Sequence, residues 1–431
     1  MKLQLKNKKL WLGILYTVLI LLVYRLGYFI QLPFIRYENM QALYGGESMF
    51  GFLDIFSGGA LSNFSIVALG VSPYITASIV VQLLQMDIVP VLKEWSEEGE
   101  TGKEKLNSLT RYLAIGLAFV QALTIVVGLS ASYNGLFFGA GTPTGAMLYI
   151  YLAVVMTAGT GFVLWLADRI TAKGVGNGTS LMIVVGIIAS YPNMIDDLMQ
   201  KYILADETTV GGVFTFVGVI LLMIVIVLGV VFMESAQRKI PIQYSNRPSS
   251  AALRGRNDSN IPIKLNSASV IPVIFASTLM SLPTTIASFV SNATAANVLN
   301  AIFSTQEPIG FVLYIVLIVL FSFFYSFLQM SPDKMAENLQ KQNAYVPGIR
   351  PGEETAAYFS RVLFKITVVG ATYLAILASL PIILTKALSL PSSVTVGGTG
   401  LIIVVGVAIE TNKQIESSIR SRSYKKGYRR R

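Results

Sequence analysis

The side chains able to carry proton, nucleophile or metal chemistry are sparse in this sequence, and their positions exclude more than they offer. The 431 residues include no Cys and no His. Disulfides, thiolate nucleophiles, thiolate or imidazole metal ligands and histidine bases are therefore all absent. The carboxylates in or beside the apolar runs are Asp87, Asp168, Glu234 and Glu410, near run ends, and Asp54 between runs. None forms the mid-run pair or lone titratable group that an intramembrane protease, a pump or an ion-coupled carrier needs. Arg25 is the one charge well inside a run. It reads either as a side chain snorkelling toward the surface or as one with a packing or pairing role. Gln82 and Gln121 each place an amide in an apolar run, where an unpartnered one is costly, so both are expected to face another helix or a wet interior. The glycine-rich run Gly174 to Gly178 lacks a preceding strand and a Lys-Ser/Thr ending, so it reads as a helix boundary and not as a phosphate loop.

The elements that must position these residues are apolar runs. Hydrophobic residues make up 53% of the chain and charged residues 13%, about half the charged share of an ordinary soluble protein. Ten runs are candidates to cross a hydrocarbon core of roughly 30 Å as helices. They are Trp11 to Phe34, Pro73 to Leu92, Tyr112 to Ala131, Met147 to Leu166, Thr179 to Tyr191, Gly212 to Met233, Ala268 to Val290, Ile309 to Met330, Leu363 to Leu384 and Gly400 to Glu410. The fifth is expected to extend toward Tyr202 and the tenth toward Ile415. The fold class is an all-α polytopic membrane protein. The first run continues past Val23 without a small-residue cleavage site and reads as a retained helix.

Ten spans put both termini on one side. Of the 33 Lys and Arg residues, all but Arg25, Arg36, Lys201 and Lys386 then fall on that same side, which the positive-inside rule assigns to the cytoplasm. The net charge of +10 thus sits where anionic lipid or an acidic partner surface can meet it.

Two features do not belong to a plain bundle. Phe50 to Ser65, containing FSGGALSNFS, is half apolar, broken by glycines and too short to cross. It reads either as a solvated loop or as a re-entrant short helix inside the protein. Two basic loops, about 234–266 and 332–361, are long enough to project into the cytosol and be gripped.

Seven stretches stand out in order along the chain: FSGGALSNFSIVALGVSPYITASIVVQLL from Phe56, KGVGNGTS from Lys173, QRKIPIQY from Gln237, VIPVIFAS from Val270, VPGIRPGEET from Val346, GGTGLI from Gly397 and the ending KKGYRRR. Together, and over essentially the whole chain, they resemble the SecY/Sec61 alpha family of protein-conducting channels. The resemblance implies two inverted pseudo-symmetric halves, 1–205 and 206–431, opening like a clamshell. It implies an hourglass pore closed at its waist by Ile75, Ile79, Ile183, Ile274 and Ile403. Beneath the waist it implies a short plug helix within about 50–65, carried by Phe56, Ser57, Gly58, Gly59, Ala60 and Leu61. Thr179 falls where relatives often have another isoleucine.

The physics of such a ring stands independently of the family. Branched aliphatic side chains have no polar group to replace an ion's hydration shell, so a narrow ring of them dewets and blocks ions. The same side chains offer no hydrogen bond that would hold a passing polypeptide. The family also opens sideways, between spans two and three and spans seven and eight. Apolar segments then partition into lipid, each Leu, Ile, Phe or Val favoured by a few tenths of a kcal/mol while a charge costs roughly 3 kcal/mol. Gln82, Gln121, Asn266 and Ser277 are the candidates for polar contacts near that seam.

The resemblance further implies SecE and SecG subunits and client chains with signal sequences. It implies the SecA ATPase or a translating ribosome on the basic loops, with Arg238, Lys239, Arg247 and Arg350 as contacts. The location implied is the plasma membrane of a bacterium. No cofactor, enzymatic activity or DNA binding is implied. Two departures stand out: PSSAALRGRNDSN follows QYSNR where relatives carry a QSTH-type sequence, and the first span ends QLPF. The alternatives are an inverted-repeat secondary transporter, which needs a coupling residue at the midplane, and a poreless membrane scaffold, which leaves the glycine-rich segment unexplained.

Overall fold

The computed structural model describes all residues except 1–7, 36–56, 86–87, 133–145, 204–209, 245–258, 288–292, 389 and 429–431. Helices dominate. In the first part of the chain these are α1 (Lys8–Gly27), α2 (Ser72–Leu84), α3 (Pro90–Glu97), α4 (Glu100–Ser132), α5 (Ala146–Lys173) and α6 (Gly178–Tyr202). In the second they are α7 (Val210–Ser235), α8 (Ile271–Ala287), α9 (Ala293–Phe303), α10 (Pro308–Met330), α11 (Pro332–Lys341), α12 (Glu353–Ala387) and α13 (Ser392–Tyr428). Strands β1 (Gln237–Tyr244), β2 (Ser259–Lys264) and β3 (Ala344–Tyr345) stand between them.

Seven of the helices are long and apolar enough to cross a membrane, matching expected spans one, three, four, five, six, eight and nine. The other three differ for separate reasons. The second run breaks after Leu84 because Pro90 starts a new helix, its ring preset for a first turn and unable to continue a preceding one. Its membrane segment, α2, is only 13 residues long. The seventh, α8, starts at Ile271, inside the expected bounds, and is described over 17 residues, as far as Ala287. The tenth is the apolar first part of a 37-residue helix that continues well beyond Ile415 to Tyr428. The fifth reaches Tyr202 as expected. The first ends at Gly27, not Phe34, so Arg25 stands in the last turn of α1.

Outward faces are apolar. On α7, Phe214, Leu221, Leu228 and Phe232 are each at least 60% exposed, which is tolerable only where lipid surrounds the chain. Facing surfaces use small residues: Ala114, Ala118 and Ala122 of α4 are fully buried at 4-residue spacing, letting backbones approach. Gly159 of α5 sits directly against the Ile66 carbonyl, where any Cβ would collide. The helices before and after residue 205 meet along α6 and α13 on one side and along α2 and α8 on the other.

The two long loops contain regular structure that their composition did not suggest. β1 is the centre of a three-stranded antiparallel sheet in the order β2-β1-β3, with Gln237 opposite Lys264 and Tyr244 opposite Ala344. Strand alternation sends Ile240 and Ile242 inward and Lys239, Pro241 and Gln243 outward. The inward residues join Ile263, Leu339, Phe359 and Val362 in one apolar cluster beneath the sheet. The loop after α7 and the loop after α10 are therefore one folded body.

Candidate functional site

The five isoleucines come from four helices. Ile75 and Ile79 lie one turn apart on α2, on the same face. Pro73 and Ser72 begin that helix in a buried position, which fixes its start. Ile183 lies on α6, whose first turn is capped by the Asn177 side chain accepting from the Thr179 amide at 3.1 Å. Ile274 occupies the first turn of α8 and Ile403 the apolar stretch of α13. All five are buried, with exposures of 1% to 7%, and all five belong to a single apolar cluster. Lipid-facing isoleucines would not do this.

That cluster also contains Ala60 of the glycine-rich segment. Phe56 lies outside the described residues. Ser57 is helical and from Gly58 to Phe64 the chain makes tight turns, while 50–56, the first part of the stretch in which a short helix is expected, lies outside the described residues. The turns begin at Gly58 and Gly59, at φ +70° and +81°, a left-handed conformation that a right-handed helix cannot continue through. The segment is strapped to the chain that leaves α1. Leu32 N–H donates to the Phe64 carbonyl at 2.7 Å, Ile66 N–H donates to the Ile30 carbonyl at 2.9 Å, and Gln31 and Ser65 form a bridge. Leu61 and Phe64 drop into a second cluster with Ala118, Ile125, Leu152 and Met156. The Ser57 hydroxyl accepts from the Leu61 amide at 3.1 Å.

The four seam candidates separate. Gln82 of α2 donates to its own helix at Ser78 (2.9 Å), and its buried amide end lies beside Tyr325 of α10. Gln121 is half-buried on α4, which packs along α2. Ser277 shares a hydroxyl contact with Tyr314 at 3.3 Å, joining α8 to α10. Asn266 bonds to the Glu234 carboxylate (3.3 Å) and the Ser269 carbonyl (2.8 Å). Of the four, then, Gln82 faces across the line where α2 meets the second half, whereas Asn266 and Ser277 are bonded within that half.

Residue-by-residue reading of the sequence missed the Glu234 network. This carboxylate is 3% exposed and also accepts from the Ser269 hydroxyl at 2.9 Å. Lys413, beyond the apolar part of α13, donates to the Glu234 backbone carbonyl at 2.8 Å. Burial, with Lys264 nearby, pushes the Lys413 ammonium below the usual lysine range. The end of α7, the start of α8 and α13 are thus joined at one point. The only sequence signal for it is a carboxylate ending an apolar run.

On the sheet, Arg238 and Lys239 are exposed, and Arg247 lies outside the described residues. Arg350 is 87% exposed in a turn flanked by Gly348 and Gly352, both at positive φ. Its carbonyl accepts from the Thr355 hydroxyl at 2.7 Å, so the backbone is held while the guanidinium stays outside, 4.0 Å from Glu354. Among the described residues no group of acidic residues is placed to hold a metal ion.

The family model SecY matches residues 65–412. The chain is 45% identical over 414 residues to the protein translocase subunit SecY of Halalkalibacterium halodurans, covering 96% of this chain and 95% of that one. It is 42% identical over 421 residues to the protein translocase subunit SecY of Staphylococcus carnosus, covering 97% of each. Its fold is similar to that of a solved protein-conducting channel, with TM-score 0.66 at 17% identity over 94% of this chain and 91% of the other. It is similar too to a structure of the SecY protein whose plug domain is described as stabilising the closed state, with TM-score 0.62 at 18% identity, over 94% and 91%. Sec61 in the canine ribosome-channel complex has TM-score 0.64 at 17% identity, over 94% and 91%.

Proposed function

The chain belongs to the SecY family of membrane proteins, and from that premise we propose that it is the channel-forming subunit of a protein translocase. It is a passive gated pore that passes unfolded polypeptides and releases apolar segments sideways into lipid. One observation carries the reading: isoleucines from α2, α6, α8 and α13, on both sides of residue 205, converge in one buried apolar cluster that also receives Ala60. A collar of branched aliphatic side chains excludes hydrated ions by dewetting. It gives no hydrogen bond to hold a client chain, so it can close around any sequence and let it slide.

In this reading the segment from Ser57 to Leu61 is the stopper on the collar, and the line between α2 and α8 is the side exit. Halves 1–205 and 206–431 move against each other, the termini are cytoplasmic, and the membrane is a bacterial plasma membrane rich in anionic lipid. The exposed Arg238, Lys239 and Arg350 receive the driving partner, the SecA ATPase or a ribosome. A ribosome is the partner in the canine Sec61 complex of the same fold. SecE and SecG complete the assembly. The secondary-transporter alternative lacks a coupling group: Glu234, the one buried carboxylate among the described residues, ends α7 and is held by Asn266 and Ser269.

Photo-crosslinkers placed at Ile75, Ile183 and Ile274 test the reading against a stalled secretory chain. Adducts to the client at all three positions are expected. Adducts to lipid alone, or to none of the client, overturn the collar.

A further inference from the structure

A charge in the last turn of a membrane helix ordinarily needs no special account. It lies in the favourable field of its own helix C-terminus and can reach the interfacial water. Arg25 does something else. Its Nη1 donates to the Gly58 carbonyl at 2.8 Å, 33 residues further along the chain, while its guanidinium lies over the Tyr28 ring, 3.9 Å from the ring centre. The neighbouring Tyr24 hydroxyl reaches the Ser57 carbonyl at the long distance of 3.5 Å. Gly58 in turn leans on α6: a Cβ there would stand 2.9 Å from the Gly186 Cα, one turn beyond Ile183. Gly58 is thus packed against both the Arg25 guanidinium, which its carbonyl accepts from, and the helix that carries a collar residue.

We propose that Arg25 is the tether that keeps the Ser57–Leu61 segment seated under the isoleucine collar. The Tyr28 ring fixes the guanidinium plane so that its donor points at one carbonyl. A single charged donor suits a stopper that must leave and return. The bond is strong inside an apolar surrounding and is exchanged for water contacts once the segment moves into a wetted pore. This inference rests on the reading of that segment as a pore stopper.

The absence of native cysteine makes the test direct. Leu61 is 1% exposed, so a Leu61→Cys thiol in the full-length protein, assembled and reconstituted in lipid vesicles, reacts with a soluble maleimide only when the segment leaves its seat. Adding Arg25→Gln is expected to raise the labelling rate about tenfold or more, and Arg25→Lys less, because the ammonium keeps the charge but not the planar fork. An Ala378→Cys thiol, buried on α12, reports general loosening. Labelling at position 61 within twofold of the Arg25 protein, or acceleration of equal size at 378, overturns the tether. Ion leakage from the same vesicles separates the two levels. Faster labelling with leakage supports both, whereas faster labelling of ion-tight vesicles keeps the tether and removes the stopper reading.

Discussion

Gly58→Ala is the sharpest perturbation the structure offers. At φ +70° an alanine costs about 1–2 kcal/mol where glycine costs nothing. The new Cβ would also stand 2.9 Å from the Gly186 Cα and 3.2 Å from its carbonyl oxygen. Both are backbone atoms of a helix that cannot swing aside as a flexible side chain would, so the turn must retreat, at about 1–3 kcal/mol by analogy with overpacked cores. The two contributions together, roughly 2–5 kcal/mol, raise the population of unseated segment by a factor of about 30 to several thousand. Gly59→Ala is the internal control. Its φ is +81°, but its Cβ meets only the Tyr28 ring at 3.4 Å, so only the conformational cost of about 1–2 kcal/mol applies, a factor of about 5 to 30. Ion efflux from vesicles holding equal amounts of each protein should rank Gly58→Ala far above Gly59→Ala, and both above the parent. Equal efflux from the two alanine proteins would refute the claim that contact with α6 seats the segment.

Three further outcomes are expected. Ile183→Asp should make the membrane pass small ions, because a carboxylate lets water stay in the collar; unchanged conductance counts against the waist. Arg350→Glu should impair motor-driven export with normal insertion, since the guanidinium is 87% exposed and its removal disturbs no core; export at the parent rate removes that contact. Glu234→Ala should destabilise the protein by about 1–3 kcal/mol by leaving the buried Asn266 amide and Ser269 hydroxyl short of an acceptor, read as a lower thermal midpoint; an unmoved midpoint means the cluster is dispensable.

What the sequence disclosed followed the reach of each signal. Runs of twenty apolar residues are legible because the hydrocarbon core demands them, and among the described residues seven appear as helices long and apolar enough to cross it. Short pieces are not: α9, 11 residues from Ala293 to Phe303, is half a span and no length rule detects it. The end of the second run was readable at Pro90, whose ring should have outweighed the apolar composition around it. The alternation in QRKIPIQY, with Ile240 and Ile242 inward, was a strand signal hidden inside a basic loop. Its pairing with a two-residue strand about 100 positions later is non-local and leaves no trace in either stretch. The five isoleucines were legible only through motif positions, since one Ile in an apolar run is indistinguishable from the next. The bond from Arg25 to a carbonyl could not be read at all, because a carbonyl has no residue type.

The small three-stranded sheet has a mechanical consequence. Its strands are spliced into the links between α7 and α8 and between α10 and α12, and Phe359 and Val362 root it in α12. A push on any of its strands is therefore shared among four membrane helices at once and cannot bend one of them alone. In the proposed channel, such a sheet would act as a lever arm on the second half, and the short α2 is the frame that half would close against.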